Sequence, residues 1–193
     1  MPNINSPFGF RPIRRFDGAA ASGSFRQLKV ANADANALNR GDVVQQLATG
    51  YVTAGTVANV AHTNLGIFIG CHYLSAALSY PIWTNYWPGA GAVGDIDAFV
   101  LDDPLLVFEA MANAGPITLA NVGMNADFVV NASTTGFSHW SLGAPAVTAT
   151  LPFRIIGLGN NGVNTSNGYD ATSANNIVEV TWNDQFMRQM VGI

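Results

Sequence analysis

The chain reads as an all-β protein: a single β-barrel or sandwich domain with an extended N-terminal arm. Three observations predict this. Short apolar runs of strand length recur along residues 24–193, punctuated by Gly, Asn, Pro and Ser. No amphipathic helical pattern of ten or more residues separates them, which is the texture of a sandwich or barrel. The first 23 residues combine three prolines with closely spaced arginines and phenylalanines.

Residues 1–23 are the arm. Pro2, Pro7 and Pro12 each remove a backbone donor and bias the preceding residue toward extended geometry, and Gly9, Gly18 and Gly23 loosen the segment. Disordered tails avoid aromatics, yet Phe8, Phe10 and Phe16 fall within nine positions. The expectation is an arm that lies across another chain, with Phe in pockets and Arg on carboxylates. Its binding set is Pro7, Phe8, Phe10, Arg11, Pro12, Arg14 and Arg15.

The β domain spans 24–193. Residues 25–30 alternate apolar and polar, and Arg40-Gly41-Asp42 makes a turn before a strand at 43–47. Ile67-Phe68-Ile69-Gly70-Cys71-His72-Tyr73 reads as a central strand. Strands at 80–83, 97–101, 105–110, 125–130 and 151–156 follow, and 177–182 alternates cleanly as the last. Short helices are expected near 116–120 and 184–190. Residues 160–176 are rich in Gly, Asn, Ser and Thr and predict a long surface loop, a type that is usually functional or mobile.

The charge is split along the chain. Arg11, Arg14, Arg15, Arg26, Lys29 and Arg40 face only Asp17 and Asp34 in the first forty residues, whereas Arg154 and Arg188 face ten carboxylates thereafter. A basic leading segment on an acidic body suits a partner with an acidic protein surface. The acidic body repels phosphate, and no nucleic-acid recognition motif occurs, so no direct nucleic-acid contact is expected. Charged residues make up 10% of the chain, well under the roughly 25% of an ordinary soluble domain. With one lysine and two glutamates against 49% hydrophobic residues, much of the surface is expected to be covered by neighbours. No apolar run reaches the ~18 residues of a membrane span, so no membrane partner is expected. No secretory leader is visible at the start, which predicts synthesis in a cytoplasm.

Little in the chain suggests chemistry. His62, His72 and His139 are scattered, and neighbours in a strand point to opposite faces, so Cys71-His72 is a poor metal pair. Cys71 is expected to be a small buried hydrophobe. Asp102-Asp103-Pro104 reads as a turn, with the two carboxylates available to arginines of another copy. Trp83, Tyr86 and Trp87 form an aromatic cluster that suits either packing or sugar stacking. No phosphate-binding loop or nucleophile elbow is present, and the expectation is a non-enzyme without cofactor or metal.

The opening Asn5-Ser6-Pro7-Phe8-Gly9-Phe10-Arg11-Pro12-Ile13-Arg14 resembles the start of small head proteins of tailed bacteriophages, described as capsid decoration, cement or stabilisation proteins. Similar short motifs run through the body. They include Gly66-Ile67-Phe68-Ile69-Gly70-Cys71-His72-Tyr73, Pro81-Ile82-Trp83-Thr84-Asn85-Tyr86-Trp87-Pro88-Gly89 and Phe99-Val100-Leu101-Asp102-Asp103-Pro104. The resemblance implies a structural virion protein on the capsid exterior. Its partners would be the major capsid protein and itself, as a homo-oligomer with a trimer favoured and a dimer as alternative. Trp83, Tyr86, Trp87, Asp102 and Asp103 are the expected interface residues on the body. A virion-surface carbohydrate-binding module and a tail or connector component are the competing readings.

Overall fold

In a computed structural model of the chain, residues 3–21, 25–57, 63–113, 115–133, 136–159 and 172–188 are described. Six strands form one antiparallel sheet in the order β1 (Arg11–Arg15), β10 (Leu106–Met111), β14 (Ile177–Trp182), β13 (Phe153–Leu158), β11 (Asn125–Val129) and β12 (Ser141–Ala146). A second antiparallel sheet runs β2 (Arg26–Val30), β9 (Ile96–Leu101), β6 (Asn64–Leu74), β4 (Val43–Gln46), β5 (Val52–Ala54). Strand β7 (Pro81–Thr84) pairs with the far end of β6, and β3 (Leu38–Asn39) with β8 (Tyr86–Trp87) makes a small third sheet. The predicted short helices correspond to single 3₁₀ turns at Leu119–Asn121 and Phe186–Arg188.

The long strand β6 organises the packing. From Leu65 to Cys71 it is largely buried on both faces, which is why this stretch is a continuous apolar run rather than an alternation. Ile67 enters a core shared with the first sheet, where Phe10, Phe108, Phe128, Trp140, Phe153 and Trp182 meet. Leu65, Phe68 and Cys71 enter a second core with Val30, Leu38, Trp87, Ile96 and Val100. Regular alternation would put Leu65 with Ile67 and would separate Phe68 from Cys71. Register shifts opposite Val44/Gln45 and between Phe68 and Gly70 change the parity and direct these side chains to their two cores.

The architecture is a sandwich and not a closed barrel. The first sheet curls until the Ala112–Leu142 bridge joins the end of β10 to β12, but that contact is a single bridge and not a ladder. Buried Gln185 ties the C-terminal segment to the second sheet, its amide donating to the carbonyls of Leu65 and Asp102 at 2.6 and 2.7 Å. Of the loop predicted at 160–176, residues 160–171 lie outside the described residues. Asn176 at its end is buried and brackets Ile117, accepting from its N–H at 3.0 Å and donating to its carbonyl at 2.7 Å.

The N-terminal segment requires a correction. It is extended, as its prolines predict, but Phe10 to Arg15 pack on their own body. Residues 11–15 are β1, paired in register with β10 of the same chain and bulged between Pro12 and Arg14. Phe10 is buried in the first core, stacked on Phe153 at 4.2 Å. Phe8 is half-buried on its own body, as is Pro7, and the Arg11 guanidinium lies 5.0 Å from the Phe8 ring centre. The physical reason is proximity: carboxylates and an unfilled apolar slot on the adjoining strands are available at no cost of association. The division into an arm at 1–23 and a body at 24–193 does not describe the packing of residues 7–15.

Candidate functional site

Five of the six basic residues of the leading segment meet acids of the body. Arg11 bonds Glu109 at 2.5 Å, Arg14 bonds Glu179 at 2.6 Å, and Arg15 bonds Asp103 at 2.5 Å. Arg26 bonds Asp102 at 2.7 Å, and Lys29 pairs with Asp97. The split charge read from the sequence is therefore complementarity within one chain. Asp102 and Asp103 receive arginines as expected, but their own. Glu109 and Glu179 face each other directly across β10 and β14, and Arg11 and Arg14 from β1 relieve that like-charge pair.

With the leading segment accounted for, the open surface is elsewhere. One face of the second sheet enters the first core at Leu101, Ile67 and Val43, then runs beyond the first sheet and becomes exposed. Cross-strand register sets its composition. Lys29 lies opposite Asp97, Asp97 opposite His72, and His72 opposite Trp83, a straight row over β2, β9, β6 and β7. The next row is Gln27 opposite Phe99 opposite Gly70. Gly70 lets β7 approach closely, since a Cβ there would sit 2.9 Å from the Thr84 carbonyl oxygen. The Trp83 indole stacks parallel to Phe99 at 5.4 Å and rests on His72 at 4.3 Å, while Phe25 meets Phe99 edge-on at 5.2 Å. Trp83, Phe99 and Phe25, with Ile69, Gly70, Cys71, Thr84 and Asn85, line an open groove of about 550 Å³.

The aromatic cluster expected at 83–87 is thus divided. Trp83 is 69% exposed. Trp87 is buried in the second core, edge-on to Tyr73 at 5.2 Å, its indole N–H donating to the Asp34 carbonyl at 3.4 Å. Tyr86 is half-buried in the small sheet opposite Asn39. Trp87 is removed from the candidate surface, because β8 turns it into the core that Tyr73 faces. Phe25, Lys29, His72, Asp97 and Phe99 belong to that surface and were not singled out from the sequence as a set. Strand parity places Lys29, Asp97 and His72 on alternating faces of their own strands, but only the pairing register aligns them.

Titration adds detail. Burial pushes Asp97 up, but bonds from Lys29 and Gln27 and the charges of Lys29 and His72 hold it below the usual carboxylate value. Burial pushes the Cys71 thiol up to about 12, in keeping with an inert core cysteine. Asp42, in the turn Asn39-Arg40-Gly41-Asp42, is pushed up to about 6 by burial, against the pull of Ser138, Asn39 and His139. Among the described residues, no group of three His, Cys, Asp or Glu side chains is placed to hold a metal. His62 lies outside the described residues.

Trp83 itself belongs to a long uncharged tract of sequence. Residues 43–94 contain no Asp, Glu, Lys or Arg. At the far end of β6, Leu74, Leu78, Tyr80 and Val93 are exposed together. They are held in one hydrogen-bonded unit by Ser75 N–H to Tyr80 O at 3.1 Å and Val93 N–H to Leu74 O at 2.8 Å. No family model, no curated protein and no solved structure matches the chain.

Proposed function

We propose that the chain is a structural virion protein of a tailed bacteriophage, a decoration or cement protein seated on the outer face of the major capsid protein. The carrying observation is the uncharged tract 43–94, which brings Leu74, Leu78, Tyr80 and Val93 to the surface at one end of the molecule. Interface cores exclude Lys and Glu, and contiguous exposed apolar surface marks contact regions. The resemblance of the opening Asn5–Arg14 motif to phage head proteins supplies the setting. On this reading the chain works as a homo-oligomer, trimeric in preference to dimeric, and the ion-paired β1 keeps the sandwich rigid under load. A shell with many copies gains retention from multiplied modest contacts.

Co-sedimentation with empty heads of the encoding phage tests this. The wild-type chain should pellet with heads, and the pair Leu78→Ser and Val93→Ser should remain in the supernatant while keeping the native circular dichroism spectrum. A wild-type chain left in the supernatant, or virions that lack it by mass spectrometry, would overturn the proposal.

A further inference from the structure

We infer that the exposed face of the second sheet is a binding site for a neutral pyranoside, centred on Trp83. Binding there requires nothing of the capsid and concerns a different part of the surface from Leu78 and Val93.

The first requirement of a sugar platform is a flat ring held rigidly with one face open. Trp83 meets it. Its indole lies across β6 with His72 and Phe99 beneath it, at 4.3 and 5.4 Å, and it remains 69% exposed. A loosely held aromatic would have to be ordered on binding, which costs affinity; this one is ordered already. Gly70 contributes through the backbone: a Cβ there would sit 2.9 Å from the Thr84 carbonyl oxygen, so its absence lets β7, which carries the indole, lie close against β6.

The second requirement is a set of polar groups at the edge of the ring, able to bond hydroxyls. The row continuing from Trp83 provides His72, Asp97 and Lys29, with Gln27 bonded to Asp97 beside them. Asp97 accepts, Lys29 and Gln27 donate, and the row is prearranged by cross-strand pairing. A sugar has one face of C–H bonds and a rim of hydroxyls, which is the combination that an apolar ring next to a polar row fits.

Charge selects within the sugars. Lys29 and Asp97 neutralise each other, so the row offers no unbalanced cation for a sialic or uronic acid. The groove beside the row is uncharged, lined by Phe25, Ile69 and Phe99 with the neutral polar side chains of Thr84 and Asn85. The fit is to a neutral ring.

Tryptophan fluorescence tests this on the intact chain. Trp87, Trp140 and Trp182 are 0%, 4% and 1% exposed, so acrylamide quenching reports Trp83 almost alone. The probes are methyl β-glucopyranoside, methyl β-galactopyranoside and methyl α-mannopyranoside, with N-acetylneuraminic acid as the charged comparison, each up to ~50 mM to reach a millimolar dissociation constant. At least one neutral pyranoside should protect Trp83 from quenching and should show saturation transfer from the protein to its ring C–H protons. Trp83→Ala, at an exposed position, should abolish the transfer with the emission of the buried tryptophans unchanged. Asp97→Asn should weaken binding about tenfold, or 1.4 kcal/mol, and leave quenching without sugar unaltered. The inference is overturned if no neutral pyranoside protects Trp83, if transfer persists in Trp83→Ala, or if the charged sugar binds as well. Protection of Trp83 that rises with protein concentration in the absence of sugar would also overturn it and would assign the face to a second copy.

Discussion

Replacing Asp42 by asparagine should stabilise the fold above pH 6. Asp42 is 1% exposed, its Oδ2 accepts from the Asn39 N–H at 2.7 Å, and burial raises its carboxyl from 3.8 to about 6. A raised acid binds its proton more tightly when folded. Its contribution is fully present below about pH 4, where both states are protonated, and is lost as the pH rises through about 6, where the native carboxyl ionises in place. Two pKa units at 1.36 kcal/mol each give about 3 kcal/mol as the full change. Urea unfolding of wild type and Asp42→Asn at pH 4.5, 6 and 7.5 measures it. The stability difference in favour of asparagine should widen by about 2 kcal/mol between the lowest and highest pH. Any constant offset from exchanging oxygen for an amide cancels in that comparison. A difference that stays flat with pH would show that burial does not raise the Asp42 carboxyl, and the burial argument would fall.

Three further outcomes are expected. Phe10→Ala removes a ring stacked on Phe153 in the first core and should cost about 3–5 kcal/mol in denaturant unfolding, whereas a side chain meant for a partner would cost almost nothing. Gly9→Ala should cost about 2 kcal/mol or more by thermal melting, because φ is +75° and a Cβ would lie 2.5 Å from Ser138 Cβ. Cys71 should not react with a thiol reagent at pH 8 until denaturant unfolds the chain, since its thiol is pushed up to about 12.

Most strands were legible because the cause is local. Residues 177–182 alternate and form β14, with Val178 and Val180 in the first core; the run 67–73 lies within β6. Strands β1, β3, β5, β8 and β12 were not anticipated. β12 contains Gly143 and Pro145 and sits at a sheet edge, where pairing and not propensity forms the strand. β1 holds three arginines, paired with Glu109 on β10, Glu179 on β14 and Asp103 in the turn before β10, a reason for strand formation that no reading of residues 11–15 alone provides.

The sequence by itself determined the all-β class, the short strands and the shortage of charge, because period-two patterning, turn residues and composition are properties of neighbours along the chain. Only the tertiary structure decided where the leading arginines and Phe10 go, since the choice between one's own carboxylates and another chain's depends on which strands end up adjacent. It also decided which tryptophan is open. Trp83 and Trp87 are four residues apart in one aromatic tract, yet pairing with β6 puts one on the exposed face and pairing with β3 puts the other in the core. Burial at a given position is set by the register between distant strands, and that register is fixed by long-range packing.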